Sequence, residues 1–249
     1  MDLKFLKTHN NVNYLTEEKP EVSKTYLLVR EKENRILEDS EIIKLPNVNF
    51  NEWPIRKKSA HRFLKYLKTK GNSLNILDLG CGNGWFSNQI ASVSENNSVI
   101  GLDINSHELE QAARVFKREN LKFVYADIFQ LQNEFKSTFD IITLNGVIQY
   151  FPDFNLLIKT LDTFLKSEGE IHIIDSPFYA ENEIENAQKR TEVYYNNLGF
   201  PEMANSYYHH SKKHIEDFKI LYKPKNSILK RFYTKDSPFY WLFFKKSKC

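Results

Sequence analysis

At 249 residues, with 41% apolar and 14% aromatic side chains, the chain can bury a sizeable core in one large α/β domain or a domain with an appendage. Thirty-five basic against 32 acidic side chains leave a formal net charge of only +3, without the basic excess of a dedicated nucleic-acid binder. Cys81 and Cys249 are too few for a metal knuckle or a disulfide framework, the N-terminus MDLKFLKTHNNVNYL has no apolar core of signal-peptide length, and the longest apolar run, Phe239–Phe244, falls far short of the roughly 20 residues of a membrane helix. The expectation is a soluble cytoplasmic protein with no metal site and no membrane span.

Residues 1–52 read as an N-terminal extension. Thr25–Arg30 (TYLLVR) and Glu41–Leu45 (EIIKL) flank the polar stretch Glu31–Arg35, which predicts a small β-hairpin, either a cover for part of the site or a packing appendage. Trp53-Pro54 opens a helix with Ala60, Phe63, Leu64 and Leu67 on one face, and Gly71 ends it. Its basic residues, Arg56, Lys57, Lys58, Arg62 and Lys65, read as a solvated face more readily than as a binding patch.

The centre of the sequence is Asn75–Ser87, NILDLGCGNGWFS. An apolar run, Ile76–Leu79, meets Gly80, Gly82 and Gly84, and a helical pattern with Phe86, Ile90 and Val93 on one face follows. This reads as buried parallel strand, tight turn and helix N-terminus. Glycine permits backbone conformations closed to other residues and lets a ligand lie against bare main chain. The dinucleotide fingerprint requires a third glycine where this chain has Trp85, and the phosphate loop requires Lys-Ser where it has Trp85-Phe86. Asp78, inside the strand end, opposes a pyrophosphate and suits a ligand with a positive group such as an ammonium.

Strand and helix then alternate. Ser98–Leu102 is the second strand and ends in Asp103; Asn105 and Glu108 form a capping box for a helix with the stripe Leu109, Ala112, Ala113 and Phe116. Lys122–Ala126 ends in Asp127, and Phe139–Leu144 leads into Asn145-Gly146. Pro152-Asp153 opens a helix that buries Phe154, Leu157, Ile158, Leu161 and Phe164, and Gly169 precedes the fifth strand, Glu170–Ile174. This alternation predicts a doubly wound, mostly parallel sheet with helices on both faces. After Pro177 come a long helix over 179–198, an aromatic stretch NSYYHH, a short helix near Lys212–Asp217, and two closing strands, Lys219–Lys223 and Phe239–Phe244.

LDLGCGNG resembles motif I of the class I S-adenosylmethionine (SAM)-dependent methyltransferases. The resemblance covers residues 70–175 well, the closing strands weakly and the first 50 residues not at all. It implies a seven-stranded sheet ending in an antiparallel hairpin, a methyltransferase domain over 53–249 with a lid-like insertion at 177–210, and SAM as cofactor. The cofactor residues it implies are Asp78, Gly80, Cys81, Gly82, Asn83, Asp103, Ile104, Asp127, Ile128, Asn145 and Gly146. Asp103 would take the ribose hydroxyls, and Asp127 with Ile128 the adenine edge. A helix ahead of motif I often covers the pocket in this family, which puts Trp53 and Arg56 in reach of the acceptor. The reaction implied is in-line methyl transfer to a small-molecule acceptor, at an O, N or C atom left open. No catalytic residue is assigned; Tyr150, Tyr179, His209 and His210 are candidates. Methylation of RNA or protein, with helix 54–69 as docking surface, and a catalytically silent scaffold stand as alternatives. The oligomeric state is left open.

Overall fold

The computed structural model describes residues 3–50, 52–224 and 236–247. The chain enters through a hairpin in which β1 (Lys7–His9) and β2 (Val12–Tyr14) pair antiparallel across Asn10-Asn11. Both asparagines have positive φ, 47° and 63°, as in the two-residue turns whose twist matches that of paired strands. The hairpin predicted at Thr25–Leu45 is absent: Thr25–Arg30 lies inside helix α1 (Pro20–Lys32), and Glu41 belongs to the short helix α2 (Asp39–Ile42). Proline at the first helical position and the packing of Val29 against Tyr195 and Met203 override the strand propensity of TYLLVR. Helix α3 (Trp53–Leu67) forms as expected and buries Trp53, Ala60, Phe63 and Leu67.

The central strands β3 (Asn75–Leu79), β4 (Ser98–Asp103), β5 (Leu121–Tyr125) and β6 (Phe139–Asn145) are parallel. Neighbours on a strand face opposite layers: Ile76, Val99, Phe123 and Ile141 pack into one core, Leu77, Ile100, Val124 and Ile142 into the other. Burial on both faces is why these strands read as continuous apolar runs. The first layer holds α3, α4 (Trp85–Ala91) and α5 (Ser106–Val115); the second holds α6 (Phe154–Phe164), with Phe154, Leu157, Leu161 and Phe164 buried.

Strand β7 (Leu165–Ser176) runs parallel to β6 and then meets β9 (Tyr240–Lys245) antiparallel; β8 (Lys219–Tyr222) closes the edge. Helix α7 (Glu181–Leu198) lies between β7 and β8 in sequence. The sheet order is β1-β2-β5-β4-β3-β6-β7-β9-β8, nine strands where seven were expected. The extra two are the N-terminal hairpin, because β2 pairs parallel with β5 through Val12–Phe123, Asn13–Val124 and Tyr14–Tyr125. Residues 7–14 are thus part of the same sheet as the central strands. Strand order reverses between β3 and β6, and the crevice above that point is where a sheet of this kind holds a ligand.

Candidate active site

A cavity of about 730 Å³ opens at the carboxyl ends of β3 to β6. Its floor is the turn after β3, where Gly80, Gly82 and Gly84 all have positive φ. A Cβ on Gly84 would fall 2.6 Å from Phe123 and 2.7 Å from Ala112, so that position is closed to any side chain by the packing of α5 and β5. On Gly82 a Cβ would sit 3.3 Å from Glu108 Oε2, on the open side of the turn. One glycine thus packs the turn against the sheet, and the other keeps backbone bare toward the cavity.

All eleven predicted cofactor residues line the cavity. Their chemistry differs from residue to residue. Asp78 is buried, with one carboxylate oxygen taking the Ser87 hydroxyl at 2.6 Å and the other the Thr143 hydroxyl at 2.8 Å. Asp103 accepts the backbone N–H of Gly82 at 2.8 Å on one oxygen, and those of Ile104 and Asn105 at 2.8 and 2.9 Å on the other. A carboxylate has about four acceptor directions, so little of Asp103 stays free beyond its role in shaping the turn. Asp127 caps the turn Ile128–Gln130 through Phe129 N and meets Lys19 Nζ at 3.3 Å. Asn145 is the opposite case: both polar atoms of its buried amide lack a hydrogen-bond partner among the described residues.

Burial penalises the ionised form of the acids gathered here. It raises the Asp78 carboxyl to about 6 against the pull of its two hydroxyl bonds, with Asp103 adding to the rise. Glu108 is pushed up to about 7 by burial and by Asp103, with Arg30 opposing. Asp103 is also raised by burial, though three backbone N–H groups hold it back. Acids gathered and perturbed in one cleft mark a functional site and favour a cationic ligand.

The other side of the cavity comes from the N-terminal extension, the start of α3 and the 177–210 insertion. Helix α1 contributes Tyr26 and Arg30, and the following loops contribute Arg35, Phe50 and Glu52. Trp53 and Arg56 reach in from α3; the Trp53 ring stands edge-on to Trp85 at 5.4 Å. Trp85, the residue that departs from the dinucleotide pattern, is therefore a buried packing partner of the α3 entry. From the insertion come Glu202, Met203, Ser206 and Tyr208.

Of the four catalytic candidates, Tyr150 alone lines the cavity, its ring 5.7 Å from that of Tyr26. His210 is buried among Phe154, Phe178 and His214, with Nε2 at 3.2 Å from the Ile148 carbonyl. His209 pairs with the Thr191 hydroxyl at 2.9 Å. Tyr179 joins the His210–Lys212 segment through backbone hydrogen bonds. None of these three lines the cavity. Cys249 lies outside the described residues. Glu108, read as a capping-box residue, both caps α5 through Asn105 and faces the cavity. A helical reading of residues 20–32 puts Tyr26 and Arg30 four apart on one face, so a signal for both was present.

The sequence profile of the methyltransferase domain family matches residues 70–233. The chain is similar to malonyl-[acyl-carrier protein] O-methyltransferase 2 of Ilyobacter polytropus, 32% identical over 119 residues, 47% of this chain and 45% of that protein. It is similar also to demethylmenaquinone methyltransferase of Lactococcus lactis, 33% identical over 118 residues, 45% of this chain and 46% of that protein. The match thus spans about half the length of these relatives. In fold it resembles magnesium protoporphyrin IX methyltransferase of Synechocystis with bound S-adenosylhomocysteine, at a TM-score of 0.55 and 18% identity, over 90% of this chain and 95% of that one. The fold and the cavity define a class I methyltransferase architecture. The chain belongs to the methyltransferase domain family, whose cofactor is SAM.

The residues present fit that cofactor. A bare glycine turn, an unpartnered buried amide at Asn145, and buried acids that a cationic group would relieve suit a ligand with an amino-acid tail, a sulfonium and a nucleoside. No cluster of His, Cys, Asp and Glu suited to a metal ion occurs among the described residues, and no helix there is long and apolar enough to cross a membrane.

Proposed function

We propose that this protein transfers a methyl group from SAM to a small-molecule acceptor held between the glycine turn and the underside of α1. The observation that carries the reading is the continuity of the cavity: one space runs from the Gly80–Gly82 turn to a chamber walled by Tyr26, Phe50, Trp53, Tyr150, Met203 and Tyr208. At about 730 Å³ it lies in the upper part of the range of roughly 300–1,000 Å³ typical of small-molecule sites. Bound SAM supplies an electrophilic methyl on a good leaving group. The protein's task is then to bind, align and exclude water. Gly80, Gly82 and Asn145 would hold the amino-acid end, Asp103 and Ile104 the ribose and one ring face, and Asp127 with Ile128 the adenine edge. The aromatic chamber would fix the acceptor, and effective molarities worth about 7–11 kcal/mol come from such alignment in favourable systems. Tyr26, Tyr150 and Tyr208 are among the hydroxyl-bearing side chains that line the cavity, and among the described residues no histidine lines it.

An RNA or protein acceptor is less well supported. Two of the basic residues of α3 turn inward, Arg56 to the cavity and Arg62 onto Asp236 at 2.7 Å. A reducing cytoplasmic setting accords with the free, buried thiol of Cys81. Calorimetric titration with SAM, S-adenosylhomocysteine and NAD(H) tests the reading: the first two are expected to bind in the micromolar range and NAD(H) not at all. An NAD(H) isotherm with silent SAM would falsify it.

A further inference from the structure

We infer that the acceptor is an anion, carrying a carboxylate or phosphate group that seats on an arginine row made by Arg30, Arg35 and Arg56. This inference rests on the methyltransferase reading of the cavity and names the substrate class for it.

All three arginines line the cavity, and Arg30 stands within the field of Glu108 at the cofactor end. They alternate with two glutamates. Glu33 lies between Arg30, at 3.4 Å, and Arg35, at 3.7 Å; Glu52 lies between Arg35, at 3.7 Å, and Arg56, at 3.6 Å. Three guanidinium groups thus share these two carboxylates through ion pairs of 3.4–3.7 Å. The end members, Arg30 and Arg56, each make an ion pair with one glutamate of the row. Hydrogen bonds are fewer. A guanidinium offers five N–H donors, yet among the described residues the row's side chains form one hydrogen bond to protein, Arg30 Nη1 to Glu33. Arg30 Nε is buried and has no partner there at all.

Position supports the same conclusion. Both terminal nitrogens of Arg56 lie 3.5 Å from where a Cβ on Gly146 would stand, beside the strand end that carries Asn145. The Arg56 guanidinium also sits over the Trp53 ring at 5.7 Å, and that of Arg30 over Tyr26 at 5.6 Å. Rings of this kind hold a guanidinium in plane while leaving its outer edge open. A planar fork with free parallel N–H groups matches the oxygens of a carboxylate or phosphate. A neutral acceptor would leave the buried Arg30 Nε without an acceptor, and an anion supplies one. The apolar lining supplied by Phe50, Met203 and Tyr150 then takes the acceptor's body.

The test uses the full chain saturated with S-adenosylhomocysteine, titrated calorimetrically with benzoate, octanoate and phenyl phosphate, and with the neutral counterparts benzamide, octanamide and phenol. At least one anion is expected to bind at millimolar concentration or tighter, and its neutral counterpart at least tenfold more weakly. Preference for phenyl phosphate identifies a phosphorylated acceptor, and preference for the acids a carboxylate one. Arg30→Gln and Arg56→Gln are each expected to weaken that anion tenfold or more, while S-adenosylhomocysteine affinity stays within threefold. Arg56→Lys, which keeps the charge and loses the fork, should fall between, and guards against a glutamine variant that melts early. Equal binding of acids and amides, or no anion binding at all, overturns the inference. So does a loss of S-adenosylhomocysteine affinity in the glutamine variants with 5′-methylthioadenosine affinity retained, because the arginines would then serve the cofactor's own carboxylate. Failure of the wild-type protein to bind S-adenosylhomocysteine is a separate result and sinks the methyltransferase reading itself.

Discussion

The backbone N–H of Gly82 donates to the carboxylate of Asp103 at 2.8 Å, tying the turn after β3 to the end of β4. That bond joins two parts of the cofactor floor that lie 21 residues apart. Asp103 therefore shapes the turn as well as facing the cavity.

Replacing Asp103 separates these roles. Asp103→Ala removes the acceptor of three backbone N–H groups and is expected to lower both stability and S-adenosylhomocysteine affinity, each by about 1.5–3 kcal/mol, the usual worth of hydrogen bonds to a charged group. Asp103→Asn keeps one acceptor oxygen and should recover part of the stability but little of the affinity. Urea unfolding and calorimetry on both variants check this. Unchanged affinity in both would make Asp103 a turn residue only.

Glu108 and Asp78 give the protein an adverse response to rising pH. Both have folded-state values above their ordinary carboxylate values, about 7 and about 6. The native state then binds more protons than the unfolded one between those limits, so stability falls as pH rises from about 4 through about 7. Glu108→Gln should be more stable than wild type near pH 8, by about 1 kcal/mol or more, with the gain gone near pH 4. A cationic ligand stabilises the ionised acids, so SAM binding should release protons near neutrality. Calorimetry in buffers of different ionisation enthalpy reads that release directly. No buffer dependence would count against the two acids facing the cofactor.

A buried polar relay beside the C-terminal turn of α3 should govern stability without touching ligand binding. Trp241 Nε1 donates to His172 Nδ1 at 3.1 Å, which leaves the proton on Nε2, 3.3 Å from Glu170. Glu170 also accepts the Tyr66 hydroxyl at 2.8 Å and Lys70 at 2.6 Å. Burial would raise Glu170, but those partners win and hold it at about 2. Burial lowers His172 below its ordinary value, despite Glu170, so the unfolded chain takes up the proton first. His172 thus contributes stability that is lost as pH falls through about 6.5. His172→Leu leaves the Trp241 N–H unpartnered and should cost about 2–3 kcal/mol in unfolding free energy. Its S-adenosylhomocysteine affinity should match wild type; a tenfold change would mean that the relay reaches the site.

Tyr208 and His209, adjacent in sequence, are expected to behave oppositely. Tyr208 lines the cavity, whereas His209 turns away to Thr191. With an acceptor in hand, Tyr208→Ala should cut S-adenosylhomocysteine formation about tenfold to a hundredfold through misplacement of the acceptor, with cofactor affinity nearly unchanged. His209→Ala should leave the rate within about twofold, since it removes no group from the cavity. The reverse pattern would restore His209 as the candidate base.

The cofactor floor was legible in the sequence because it is built from local, strongly constrained chemistry. Apolar runs buried on both faces, glycines at positive φ and polar residues at strand ends leave marks within a few residues of each other, and every position from Asp78 to Gly146 that they indicated lines the cavity. The acceptor wall was not legible in the same way. His209 and His210 are ordinary candidates for a base by residue type, yet their direction depends on how the insertion folds back over Gln149 and Tyr179.

Residues 1–52 show the limit most clearly. Asn10 and Asn11 take the positive φ of a hairpin turn, but the pairing of Val12–Tyr14 with β5 is a contact across more than a hundred residues. TYLLVR has the composition of a strand and became a helix because Val29 found Tyr195 and Met203, from the opposite end of the chain. The sequence by itself determined the doubly wound sheet, the glycine turn and the family of cofactor, since short-range periodicity and backbone sterics specify them. Only the tertiary structure decided that α1 roofs the cavity, that Arg30, Arg35 and Arg56 form a row, and that the insertion's histidines face away. Those outcomes follow from which apolar surfaces meet over long separations, and such a meeting leaves no local pattern to read.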